Sequence, residues 1–228
     1  VSAGAGEDTA ARRVRGRFIT FEGGEGSGKT TQSARLVDWL SARGIAVRRT
    51  REPGGTPGAE AIRDLVVKGA DGRWSALAET LLMFAARDDH LRQVIRPALE
   101  AGEWVVCDRF VDSTIAYQGY GRGLGRAAVD DIAAVVVGDT RPDLTLILDL
   151  PPSVGLARAA ARRGTETRFE SLDRTFHDRL RAGFLEIAAA EPDRCAVVDA
   201  GAGDTDAIFA AVSRIVAEKL FEEQSGDG

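Results

Sequence analysis

The run Gly23-Gly24-Glu25-Gly26-Ser27-Gly28-Lys29-Thr30 matches the pattern G-x-x-x-x-G-K-[ST] without a mismatch. These residue types at this spacing make an anion cradle. The glycines let backbone N–H groups turn inward onto phosphate oxygens. Lys29 reaches the β- and γ-phosphates, and the Thr30 hydroxyl can ligate Mg²⁺. A helix starting at the end of the loop points its positive end at the same anion. A second segment adds a carboxylate: Trp104-Val105-Val106-Cys107 is apolar and closes on Asp108, as in a Walker B strand. That acid would sit near Mg²⁺, directly or through water. Gly23 to Thr30 are thus assigned to the phosphates of a nucleoside triphosphate, and Thr30 and Asp108 to the metal.

The arginines narrow the chemistry. Arg51, Arg87 and Arg109 each lie in a segment suited to facing the loop, and arginine makes paired hydrogen bonds to phosphate. An enzyme that moves phosphate between two nucleotides needs such scattered cations. A GTPase would need a guanine-reading N-K-x-D, and an ABC-type ATPase an L-S-G-G-Q-like signature. The sequence has neither.

Alternating strands and helices must position these residues. Phe18 to Phe21 reads as a buried strand directly before the loop, and Thr31 to Leu40 as the helix after it. Ile45 to Arg49, Trp104 to Asp108, Leu144 to Leu148 and Cys195 to Val198 read as further short strands. Helices are expected at Ala59 to Val67, Leu77 to Ala101 (kinked or divided at Pro97), Ala127 to Val137, Ser153 to Arg163, Leu172 to Ala190 and Asp206 to Leu220. Gly119, Gly121, Gly123 and Gly125 at every second position predict a mobile stretch. Five short apolar strands separated by helices predict an α/β fold, a five-stranded parallel sheet flanked by helices on both faces. One domain is expected at 17–220, between flexible tails at 1–16 and 221–228.

Composition agrees with a globular chain: of 228 residues, 44% are hydrophobic and 29% charged. Lys plus Arg number 30 against 35 Asp plus Glu, a net charge of −5. That balance argues against a general nucleic-acid binder. No apolar run approaches the roughly 18 residues of a membrane helix. Cys107 and Cys195 are far apart and beside apolar residues, which favours buried free thiols and a reducing cytoplasm.

At this point the sequence resembles the bacterial thymidylate kinase family. The resemblance rests on the loop from Phe21 to Thr31, Thr50-Arg51-Glu52-Pro53-Gly54-Gly55-Thr56, Cys107-Asp108-Arg109-Phe110, Asp112-Ser113-Thr114, Tyr117-Gln118-Gly119 and Arg141-Pro142-Asp143-Leu144. It spans about Arg17 to Leu220. It implies a P-loop kinase with an Arg-rich lid that phosphorylates dTMP to dTDP with ATP and Mg²⁺, usually as a homodimer.

The resemblance also implies roles. Arg51 and Arg109 would grip the acceptor phosphate, offset its repulsion from the donor and align it for in-line attack. Arg87 would bond the thymine carbonyl. The aromatic that stacks on thymine usually lies four residues before that arginine, where this chain has Met83. Either Met83 packs on the base through its sulfur, or a register shift brings in Phe84. Tyr117 would pack on the deoxyribose, Gln118 would be a polar contact beside the base, and Ser113 and Thr114 would add hydrogen bonds. Glu25 matches an acid near the sugar 3′-hydroxyl. Some members carry a catalytic arginine where this chain has Gly26. Others supply that cation from a lid, here about 158–170. The residues expected to act in catalysis are therefore Lys29, Asp108 and a lid arginine, Arg163 or Arg168. A homodimer would use the helix from Leu77 and the run Ile132 to Val137. The alternatives are a kinase for another pyrimidine nucleotide or a deoxynucleoside, or a regulator that binds nucleotide without transferring phosphate.

Overall fold

A computed structural model describes residues 15–68, 72–161 and 168–221. Its centre is β1 (Phe18–Glu22), buried at every position. The chain then forms α1 (Lys29–Ser41), β2 (Val47–Arg51), α2 (Pro57–Val67) and α3 (Ala76–His90). A π-helical turn at Leu91–Ile95 leads into α4 (Arg96–Glu100) and β3 (Trp104–Asp108). Then come α5 (Val111–Thr114), a second π-helical turn at Ile115–Gly121 and α6 (Arg126–Val136). The rest is β4 (Leu144–Asp149), α7 (Pro152–Ala160), α8 (Arg174–Ala190), β5 (Cys195–Asp199) and α9 (Thr205–Leu220).

The five strands are parallel and ordered β2-β3-β1-β4-β5, as the alternating pattern predicts. Strand alternation splits the core. Phe18 packs with Phe84, Leu91, Phe110, Phe184 and Ile187 in one cluster. Ile19 and Phe21 join Leu36, Leu40, Val212 and Val216 in the other. Helices thus cover both faces, and buried apolar strands need that cover. Register places Phe21 beside Asp108, and Arg51 on the far side of Asp108. The ends of three strands therefore deliver the loop, the acid and an arginine to one crevice, where open α/β sheets bind their ligands.

The helix expected over 77–101, kinked or divided at Pro97, is divided into α3, a π-helical turn and α4, with Pro97 in the first turn of α4, where a missing N–H costs nothing. One expectation needs correction. The stretch expected to be mobile after Asp108 is instead largely buried and helical from Val111 to Gly121. Gly121 serves packing there: a Cβ on it would stand 2.5 Å from the Phe176 ring. Both expected tails lie almost wholly outside the described residues, as does Arg163.

Candidate active site

The phosphate loop leaves β1 at Glu22 and enters α1 at Lys29, so its backbone N–H groups converge at a helix N-terminus. Lys29 is buried. Its ammonium donates to the carbonyls of Gly23 (3.1 Å) and Gly24 (2.8 Å) and to Ser27 Oγ (3.2 Å). Burial, then the neighbouring Arg109, push its pKa down to about 8, with Glu25 and Asp108 pulling the other way. Thr30 Oγ1 donates to Asp108 Oδ2 at 2.6 Å. The expected metal ligands thus come together, two hard oxygen donors at the mouth of the loop.

Arg109 is the one described non-glycine residue with a left-handed backbone, φ 72°. Such a conformation costs on the order of 1–3 kcal/mol and must be held from outside. Its N–H donates to Phe21 O (2.9 Å), its carbonyl accepts Cys107 Sγ–H (3.0 Å), and the next N–H, of Phe110, donates to Glu22 Oε1 (2.7 Å). Glu22 Oε2 accepts the Ser113 hydroxyl at 2.5 Å. Burial, then Asp112, raise the Glu22 pKa. The turn sends the Arg109 guanidinium back across the loop. Nη1 reaches Gly23 O and Ser113 Oγ, and Nη2 reaches Glu25 Oε1, each at 3.0 Å. Tyr117 Oη donates to the same Glu25 oxygen at 2.5 Å. Burial alone would raise the Glu25 pKa, but Arg109, Lys29 and the Tyr117 hydroxyl outweigh it and bring it down to about 2.

A cavity of about 1090 Å³ runs from the loop over these residues. At its far end Arg87, 3% exposed, lies between three elements. Nε donates to Glu52 Oε2 (2.7 Å) and Nη2 to Phe110 O (3.0 Å) and Thr114 Oγ1 (3.1 Å). Glu52 is shared with His90, whose Nε2 is bonded to Thr50 Oγ1 at 2.6 Å. His90 is therefore structural. Arg51 is half exposed, bonded to both oxygens of Glu60 and on the cavity wall.

Met83 lines the cavity and Phe84 does not. Phe84 lies in the core with the Arg87 guanidinium 4.7 Å over its ring. Successive helix positions are rotated by about 100°, so only one of the two can face the cavity. Of the two candidates for packing on the base, the structure therefore puts Met83 on the cavity wall and Phe84, against expectation, in the core. Arg168 is also not where a lid cation was expected. It is 3% exposed and ion-paired with Glu79 at 2.5 Å. Glu79 is a residue that sequence reasoning missed. Its one signal was a carboxylate inside an otherwise Ala- and Leu-rich helical run.

The family model described as thymidylate kinase matches residues 21–210. A thymidylate kinase of Caulobacter vibrioides is 58% identical over 207 residues, 91% of this chain and 99% of that one. One from Bradyrhizobium sp. (strain ORS 278) is 54% identical over 221 residues, 94% and 96% of the two chains. The crystal structure of thymidylate kinase from Ehrlichia chaffeensis superposes with a TM-score of 0.72 at 37% identity, over 89% of this chain and 98% of that one.

Proposed function

The chain belongs to the thymidylate kinase family, and we propose that the cavity described above is where the γ-phosphoryl group of ATP passes to dTMP, giving dTDP and ADP. The enzyme is a nucleoside monophosphate kinase, a phosphotransferase. One observation carries the acceptor assignment. Arg87 Nη1 and Gln118 Oε1 are buried without a protein partner, and both residues line the cavity. One is a donor and the other an acceptor. Thymine offers the complement, a carbonyl O4 and an N3–H. Cytosine offers the reverse, an amino group and a bare ring nitrogen. A buried polar site left unpaired by the wrong base discriminates strongly.

The other roles are assigned to residues around the same cavity. The loop N–H groups and Lys29 hold the donor phosphates. Arg51 and Arg109 hold the acceptor phosphate and offset its repulsion from the donor. Tyr117 flanks the deoxyribose, with Glu25 beside the 3′-hydroxyl. Ser113 and Thr114 hold Arg109 and Arg87. The attacking phosphate oxygen is already anionic at neutral pH, so no general base is required and catalysis rests on positioning and charge.

Thr30 and Asp108 fit Mg²⁺. The ion takes one or two protein oxygens and fills its shell with water and substrate phosphate, and the described residues hold no cluster of three or more His, Cys, Asp or Glu that could cage a metal. When bound, the metal neutralises charge on the β- and γ-phosphates. With Arg168 committed to Glu79, the cation for the transferring phosphoryl is assigned to Arg163.

We assign the kinase domain to 17–220 with its lid at about 158–170, and a homodimer through α3 and α6. Leu77, Leu81 and Val135 support the latter, since they expose apolar surface on those helices. Sedimentation showing only monomer at micromolar concentration would remove the dimer. No helix among the described residues is long and apolar enough to cross a membrane. The two free, buried cysteines support a cytoplasmic location. The test of function is phosphate transfer to dTMP over dCMP, with ADP release dependent on the acceptor.

A further inference from the structure

We propose that Glu79 is a positioning residue that sets base choice by fixing the amide of Gln118, an inference that rests on the dTMP reading above. A terminal amide presents an oxygen and an NH₂ of nearly equal shape. Left alone it can turn either one toward a ligand. Gln118 is not left alone. Its Nε2 donates to Glu79 Oε1 at 2.7 Å, inside the protein. Glu79 is completely buried, and its other oxygen accepts Arg168 Nη2 at 2.5 Å. Arg168 is tied in turn through Nη1 to Val66 O at 2.6 Å. Arg122 Nε lies 3.7 Å from Oε1 on the Gln118 side.

A carboxylate paired with arginine offers only acceptors. The Gln118 NH₂ must therefore face Glu79, and the carbonyl oxygen must face away. That oxygen is the buried acceptor without a protein partner, on a residue of the cavity wall. Glu79 thus turns an ambiguous amide into a fixed acceptor. A pyrimidine with a ring N–H satisfies it. A pyrimidine with a bare ring nitrogen sets acceptor against acceptor, and the amide cannot flip to relieve this without breaking its bond to Glu79.

The test is Glu79→Gln, which keeps the shape and gives position 79 both a donor and an acceptor. The kcat/KM values for dTMP, dUMP and dCMP are measured with MgATP. The dTMP-over-dCMP preference is expected to fall about tenfold, not to vanish, because Arg87 still donates to O4. The dTMP-to-dUMP ratio and the KM for MgATP stay unchanged, since both bases carry the N3–H. Gln118→Leu should lose preference similarly, and the double variant should lose no more than Gln118→Leu alone. A preference retained in Glu79→Gln while activity and Tm fall, or additive losses in the double variant, would overturn the role. If Glu79→Gln fails to fold, Glu79→Asp retracts the same charge and takes the same readouts. Wild-type enzyme without a dTMP-over-dCMP preference contradicts the dTMP reading itself. Wild-type preference untouched by the Glu79 variants contradicts only this inference.

Discussion

Gly26 and Gly155 meet backbone to backbone. A Cβ on Gly26 would lie 2.1 Å from the Gly155 carbonyl oxygen, and one on Gly155 would lie 2.3 Å from the Glu25 carbonyl oxygen. The phosphate loop is thereby seated on α7, the helix that leads toward the lid. Gly26 also has φ +67°, so a side chain there is excluded twice. An arginine at position 26 has no room, which is consistent with a lid supplying the cation.

Gly155→Ala should therefore act on catalysis through the loop. Alanine suits the helix, but its methyl group displaces the Glu25 carbonyl. The expected result is a kcat/KM for MgATP at least tenfold lower and a stability loss of about 1–3 kcal/mol. Steady-state kinetics and thermal melts check it. Unchanged kinetics would show that the loop accommodates the methyl group without moving its phosphate donors.

Lys29 predicts a basic limb in the pH profile. With its pKa down at about 8, the free enzyme loses the loop cation as pH rises through that value. The kcat/KM for MgATP should fall there, while kcat should fall at higher pH because bound phosphates favour the charged amine. The stability effect has the opposite sense. A lysine whose folded pKa lies below 10.5 is penalised when charged, so this group's contribution improves between about pH 8 and 10.5. A kcat/KM flat to pH 9.5 would contradict the assignment. Lys29→Met should abolish the limb and lower kcat by roughly 10²–10³-fold.

Glu25 and Tyr117 predict an acid-side effect. The Glu25 pKa is down at about 2, so its stabilising contribution is complete above about pH 4.5 and is lost as pH falls toward 2. Tyr117→Phe removes one hydrogen bond to the carboxylate and should raise that pKa. The KM for dTMP should rise about three- to tenfold with little change in the KM for MgATP. The ring contact with Phe169, at 5.4 Å, is retained, so Tm should move little. Equal effects on both substrates would argue against a place beside the sugar.

Met83 and Phe84 separate by readout. Met83→Ala should raise the KM for dTMP several-fold and leave Tm nearly unchanged. Phe84→Ala should cost about 3–5 kcal/mol of stability as a core truncation. The reverse pattern would restore Phe84 as the base contact.

The parts of the site legible in the sequence were those whose chemistry is local. The loop, the strand before it and the helix after it are contiguous, and Asp108 closes a short apolar run that reads as a strand. What was not legible depends on distant packing. Glu79 meets Gln118 across 39 positions and Arg168 across 89, and no spacing rule anticipates that. Arg109 takes a left-handed backbone at a non-glycine residue, which is set by its partners and not by its own preference. The glycine at 121 suggested freedom, but Phe176 fills the space its missing side chain leaves.

The most direct test of the account is coupled ADP release with MgATP and a panel of dTMP, dUMP, UMP, dCMP, AMP and thymidine. The account predicts acceptor-dependent release that strongly prefers dTMP, with dUMP ahead of dCMP and thymidine inactive for want of the phosphate that Arg51 and Arg109 hold. Equal release with no acceptor, or a preference for thymidine, would contradict it.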